Sequence, residues 1–269
     1  CTDLKATVSY PLRQLYGQDY TIAPLSVLVD PVRCARVLGL EQGKGFSDKV
    51  VYVYRKQLEE AELLVVNKTD LIDAAKLDRL VAALREQFPQ AKVLTISSKT
   101  GEGLQGWFEQ ILRDQLGHAR AMEVDYDTYA DGEALLGWLN ARGSVSGSAE
   151  FDGNQFVLDL ADQFRRALAG HGVEVAHLKM TLSPSVGTDM AAMSLTRTED
   201  APQLTHRLQE GLATGELVIN LRAEADPALL RAEVERIVAS LSSPAVKLEV
   251  LASFRPGRPN PTHRMAEAL

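Results

Sequence analysis

Two short polar stretches carry the residue types and spacing for chemistry: Asn67-Lys68-Thr69-Asp70 and, thirty residues on, Ser97-Ser98-Lys99-Thr100-Gly101. A carboxylate only accepts, so Asp70 can take two donors side by side, which is what the N1–H and exocyclic N2–H of guanine present. Adenine places a lone pair at N1, and a buried acceptor left unpaired costs roughly 1–3 kcal/mol. Asn67 is placed to brace the loop and reach the base edge, while the Lys68 stem lies along the face of the base or ribose. The Ser97, Ser98 and Lys99 loop can aim backbone N–H groups at guanine O6, an acceptor where adenine carries a donor. Taken singly, each stretch has a plainer reading: a strand-to-helix turn with Asp70 as N-cap, and a solvated loop.

The elements that must hold these residues follow from hydrophobic periodicity. Leu63-Leu64-Val65-Val66 is an unbroken aliphatic run, the pattern of a strand buried on both faces of a parallel sheet. Leu25–Asp30 and Lys92–Ile96 are expected as further strands. Helices are expected over Thr7–Tyr16 (Val8, Leu12 and Leu15 inward, Pro11 in the first turn), Asp48–Glu60, and Asp73–Phe88. A last helix is expected to bury Leu104, Trp107, Phe108, Ile111 and Leu112. A right-handed strand–helix–strand crossover sets the 67–70 and 97–99 tips side by side, at the carboxyl ends of the strands, where open α/β sheets bind ligands.

At 269 residues, 45% hydrophobic and net charge −7, the chain has room for one large or two ordinary domains. The acidic balance argues against a nucleic-acid binder that relies on a broad basic surface. Two cysteines, Cys1 and Cys34, make no disulfide framework and fit a reducing, cytoplasmic setting. No run approaches the length of a membrane span, and no signal segment opens the chain. The sequence has no G-x-x-x-x-G-K-[ST] phosphate loop; Gly39-Leu40-Glu41-Gln42-Gly43-Lys44-Gly45 is one residue short and ends in glycine where Mg²⁺ needs a hydroxyl. A base reader without a phosphate cradle reads as half a site, and the chain as the C-terminal portion of a longer protein.

Residues 1–117 resemble the second half of the G domain in P-loop GTPases of the CobW type, relatives of HypB and UreG. Asn67-Lys68-Thr69-Asp70-Leu71 resembles the base-specificity motif, Ser97-Ser98-Lys99 the loop behind it, Val27-Leu28-Val29-Asp30 a family strand, and Cys1-Thr2-Asp3-Leu4 the stretch after its Glu-x-x-Gly switch. The resemblance implies a GTP hydrolase in the parent, with GTP and Mg²⁺ as cofactors, Zn²⁺ or another transition metal in that parent, and a role as metallochaperone or metallocofactor-insertion factor for a metalloenzyme client. The phosphate loop, Mg²⁺ ligands and Cys-x-Cys-Cys motif of the family lie upstream of the matching stretch. This chain taken alone is expected to hydrolyse nothing. The alternative is a non-catalytic interaction scaffold built on a degenerate G domain.

The expected organisation is therefore an α/β partial GTPase domain, mostly parallel, over 1–118. A linker and docking helix over 119–147 follow, with the helical patch at Ala134–Leu139; Asp125, Asp127, Asp131 and Glu133 there match no calcium loop. From 148 to 254, alternating strands (Val173–Leu182, Met190–Arg197, Leu217–Arg222, Val246–Phe254) with helices Gln155–Ala169 and Pro227–Leu241 predict an antiparallel α+β domain of ferredoxin-like or split βαβ type. His177 is expected on its wet face. The tail, 255–269, holds three prolines and resembles a Pro-Thr-His-Arg element of some CobW-type proteins; it is expected either to lie on the first domain or to fray.

Overall fold

The computed structural model describes residues 3–115, 117, 121–258 and 263–265. Contacts divide the chain into two units, Cys1–Gly132 with Arg258–Leu269, and Glu133–Gly257.

In the first unit a π-helical segment, Lys5–Ser9, runs into α1, Tyr10–Tyr16, with Pro11 in its first turn. Val8, Leu12 and Leu15, expected inward, are 45%, 41% and 69% exposed, while Ala6 and Tyr10 are buried. π-winding advances each residue less around the axis than α-winding does, so a 3.6-residue register read across it lands on the wrong side. Three strands follow at intervals: β1 (Ser26–Val29), β2 (Leu63–Val66) and β3 (Lys92–Thr95), all parallel in the order β1-β2-β3. Between β1 and β2 lie α2 (Pro31–Val37) and α3 (Asp48–Glu60); between β2 and β3 lies α4 (Ala74–Gln87), and α5 (Leu104–Arg113) and α6 (Tyr126–Ala134) come after.

All four β2 residues are buried. Leu64 and Val66 pack with Leu58, Leu80, Leu84 and Phe88 on one side of the sheet. Leu63 and Val65 pack on the other with Ile96, Leu104, Trp107 and Ile111. Phe108 and Leu112 of α5, expected inward, are exposed instead. The start of α5 fixes this roll: Gly103 sits at φ 72, and a Cβ there would lie 2.3 Å from the Thr95 carbonyl oxygen.

The second unit is a six-stranded antiparallel sheet, β4 (Leu136–Phe151), β5 (Val175–Pro184), β6 (Ala191–Leu195), β7 (Gln203–His206), β8 (Leu212–Glu224) and β9 (Ala245–Phe254), in the order β7-β6-β5-β8-β4-β9. Helices α7 (Gly153–Gly170) and α8 (Pro227–Ala239) pack on it. Without the β6–β7 hairpin the order β5-β8-β4-β9, linked through α7 and α8, is the split βαβ arrangement.

The helix expected at 134–139 is a correction. Those residues end α6 and begin the 16-residue strand β4. Its run of Gly and Ser reads as linker composition, yet Leu139, Ala141 and Val145 are buried in alternation with Asn140, Arg142 and Ser144. Gly143 is there because β9 comes close: a Cβ would meet the Lys247 carbonyl oxygen at 2.4 Å. Expectations for 118–120, 259–262 and 266–269, and for Cys1 and Thr2, lie outside the described residues. Among the described residues, no helix is long and apolar enough to cross a membrane.

Candidate functional site

The site residues stand at the carboxyl ends of the three parallel strands. After β2 the chain leaves the sheet at Asn67, whose N–H donates to the Val29 carbonyl at 3.0 Å. It then turns through Lys68, which adopts a left-handed φ of 61°. Thr69–Leu71 forms one short 3₁₀ turn. The N-cap of α4 is Asp73, which accepts from Lys76 N–H at 2.9 Å; Asp70 caps nothing and is exposed.

Asn67, Asp70, Ser97 and Ser98 converge, and their hydrogen bonds run across the two tips. Ser97 Oγ donates to Asp70 Oδ1 at 2.6 Å. Ser98 N–H donates to Asn67 Oδ1 at 3.0 Å, and Asn67 Nδ2 donates to Ser98 Oγ at 3.1 Å. Thr69 closes the seam, its hydroxyl and N–H both donating to the Ile96 carbonyl, at 3.1 and 3.3 Å. Ser97 is fully buried, with its hydroxyl also accepting from Thr100 N–H at 3.2 Å, so it is a fixed buttress behind an exposed carboxylate. Lys99 is exposed, and its backbone N–H has no acceptor among the described residues.

One participant was not singled out from sequence. Asp30, at the end of β1, accepts from Lys68 Nζ at 3.0 Å, while its other oxygen accepts from Arg33 N–H and caps α2. The signal was present: Val27-Leu28-Val29-Asp30 repeats the pattern of an aliphatic run ending in a polar residue at a strand tip. The ion pair ties the Lys68 head group across the sheet, which leaves its alkyl stem as the part available to a flat ring. The 39–45 loop follows α2 rather than a strand, and Arg36 donates to its Lys44 carbonyl at 3.1 Å. Among the described residues, no group of three or more His, Cys, Asp or Glu side chains is arranged to hold a metal ion. Asp125, Asp127 and Asp131 are engaged separately, by the α6 N-terminus, Arg258 and Lys49.

Open α/β sheets bind ligands beyond the carboxyl ends of their strands, and this parallel sheet carries its two coupled polar tips there. Residues 6–95 match the sequence model of the family described as CobW/HypB/UreG, nucleotide-binding domain, about a third of the chain. GTPase Era of Bradyrhizobium sp. strain BTAi1 is 39% identical over 67 residues, covering 24% of this chain and 22% of that protein, so the match spans about a fifth of that relative's length. The Zn(II)-bound YjiA GTPase from E. coli and a triple mutant of it, also Zn(II)-bound, are 13% identical over 85% of this chain and 67% of theirs, at a TM-score of 0.27.

Proposed function

We propose that the strand tips form the guanine-reading part of a GTP site, within a CobW-type GTPase that works as a metallochaperone or inserts a metallocofactor into a metalloenzyme client. The observation that carries the base-reading part is the Ser97–Asp70 bond of 2.6 Å beside the reciprocal Asn67–Ser98 pair, which holds a carboxylate and a backbone donor in one slot. In this reading Asp70 accepts guanine N1–H and N2–H together, and the Lys99 N–H donates to O6. Asn67 and Ser98 lock the two loops, and the Lys68 stem covers one face of the base while Asp30 holds its head group. Each recognition bond is made by a group already fixed by the protein, so little ordering remains to be done when the base arrives. Hydrolysis, Mg²⁺ binding and the client rest on the family resemblance, and this chain alone is expected to show no GTPase turnover.

The test is a titration of the ¹⁵N-labelled chain with GDP, ADP and xanthosine diphosphate. GDP should shift the amides of 67–70 and 97–99, with ADP at least about 10-fold weaker, the order expected of one or more lost buried pairs. Asp70→Asn swaps an acceptor for a donor and should reverse the preference toward xanthosine diphosphate, whose ring carries an oxygen where guanine has its amino group. Equal shifts with ADP, or unchanged GDP preference in Asp70→Asn, would remove the base-reading role.

A further inference from the structure

The second unit carries a groove that plays no part in the nucleotide reading. Along one side of α7 the residues Asp152, Gln155, Asp159 and Gln163 face a cavity of about 340 Å³, floored by Phe151, Phe156 and Leu160 and closed opposite by Leu241 and Pro244 from the α8–β9 connection. A second cavity of about 400 Å³ adjoins it, sharing Phe151 and Asp152, with Glu150 and Glu210 on its walls. Four carboxylates thus rim two joined cavities, no Lys, Arg or His lines either one, and none of the four forms an ion pair among the described residues. Asp152 Oδ1 accepts from the N–H groups of Asn154 and Gln155, and Asp159 Oδ1 accepts from Gln155 Nε2, so each of the two has an oxygen in hand. The Phe151 and Phe156 rings lie edge to face at 5.6 Å between centroids.

The geometry points to a docking groove for a basic segment of a partner protein, with Arg or Lys stems laid along the half-buried Phe151, Leu241 and Pro244 and their charged heads on the carboxylate rim. Charge complementarity selects the occupant: an anionic ligand would meet four like charges, whereas a guanidinium gains both apolar contact for its stem and a carboxylate for its head. Long cationic side chains are suited to this mix of apolar floor and acidic rim.

The experiment uses the full chain, ¹⁵N-labelled, titrated with an acetylated, amidated tri-arginine peptide, and with the same peptide carrying citrulline, which keeps the stem and removes the charge. Saturable shifts confined to residues 150–163, 208–211 and 241–244, lost with citrulline, are expected. The double variant Asp159→Asn, Glu210→Gln changes exposed side chains and should weaken binding about 5-fold, and raised salt should weaken it further. Equal binding of the citrulline peptide, unchanged affinity in the double variant, or shifts lying elsewhere would overturn the proposal. Because the readout residues and the ligand differ from those of the guanine titration, either reading can fail without the other.

Discussion

Lys68 shows what one residue concedes to a site. A left-handed backbone costs a non-glycine residue roughly 1–2 kcal/mol, and at φ 61 Lys68 bears it while its side chain reaches Asp30. Two other residues make predictions of their own. Cys34 is wholly buried, and burial pushes its thiol up to about 12, so the reactive thiolate is scarce at neutral pH. In a Cys1→Ser background, Ellman's reagent should label Cys34 only on unfolding; rapid labelling of the native chain would contradict the burial. Glu60 is 3% exposed, and desolvation raises its pKa even though Lys5 N–H donates to it at 2.7 Å. The folded state therefore holds the Glu60 proton more tightly than the unfolded chain does. Its contribution is fullest below the ordinary carboxylate range and declines as pH rises through the raised value. Glu60→Gln keeps an acceptor for Lys5 and removes the charge, so denaturation midpoints measured across pH should fall less steeply with rising pH than in the parent. A parallel pair of curves would rule this out.

At the level of elements, glycines separate places where space is forbidden from places where it is free. Gly143→Ala would drive a Cβ into the Lys247 backbone at 2.4 Å and should cost about 1–3 kcal/mol. Gly170, the last residue of α7, has nothing within 4 Å, and Gly170→Ala should be neutral or stabilising by up to ~1 kcal/mol. Urea unfolding of both variants checks the contrast. The same comparison explains what could be read in the sequence. The β2 strand, Leu63–Val66, and α3, Asp48–Glu60, fall where their patterns put them, because each is a run whose period agrees with its burial. The long β4 was hidden because the close approach of β9 at Gly143 demands a glycine, and its Gly and Ser run otherwise marks a linker. The Asn67–Ser98 and Asp70–Ser97 partners could be placed on neighbouring tips from the crossover rule alone, but Asp30 could not be joined to Lys68. That ion pair depends on the left-handed turn, which no residue type at 68 announces.

Across the whole molecule the chain passes between its two units twice, at 132–133 and again at 257–258. The returning segment is anchored in the first unit: Arg264 Nε donates to Asp3 Oδ2 at 2.7 Å, Arg264 Nη2 to the Met122 carbonyl at 3.1 Å, and Met265 N–H to the Ala6 carbonyl at 2.9 Å. Asp3 is 1% exposed, so without Arg264 a buried charge would lose its cation. A protease site placed at Leu135, between α6 and β4, should therefore yield two pieces that still co-elute in gel filtration. Adding Arg264→Ala should separate them, and separation of the unaltered pieces would show that the anchor is too weak to matter.

The Asp3–Arg264 pair also imposes an order of events during synthesis on the ribosome. Translation adds about 5–20 residues each second, so the aspartate emerges on the order of tens of seconds before the arginine that neutralises it. The Asp3 carboxylate must stay hydrated in that interval, and its final seat can close only after Arg264 has been made.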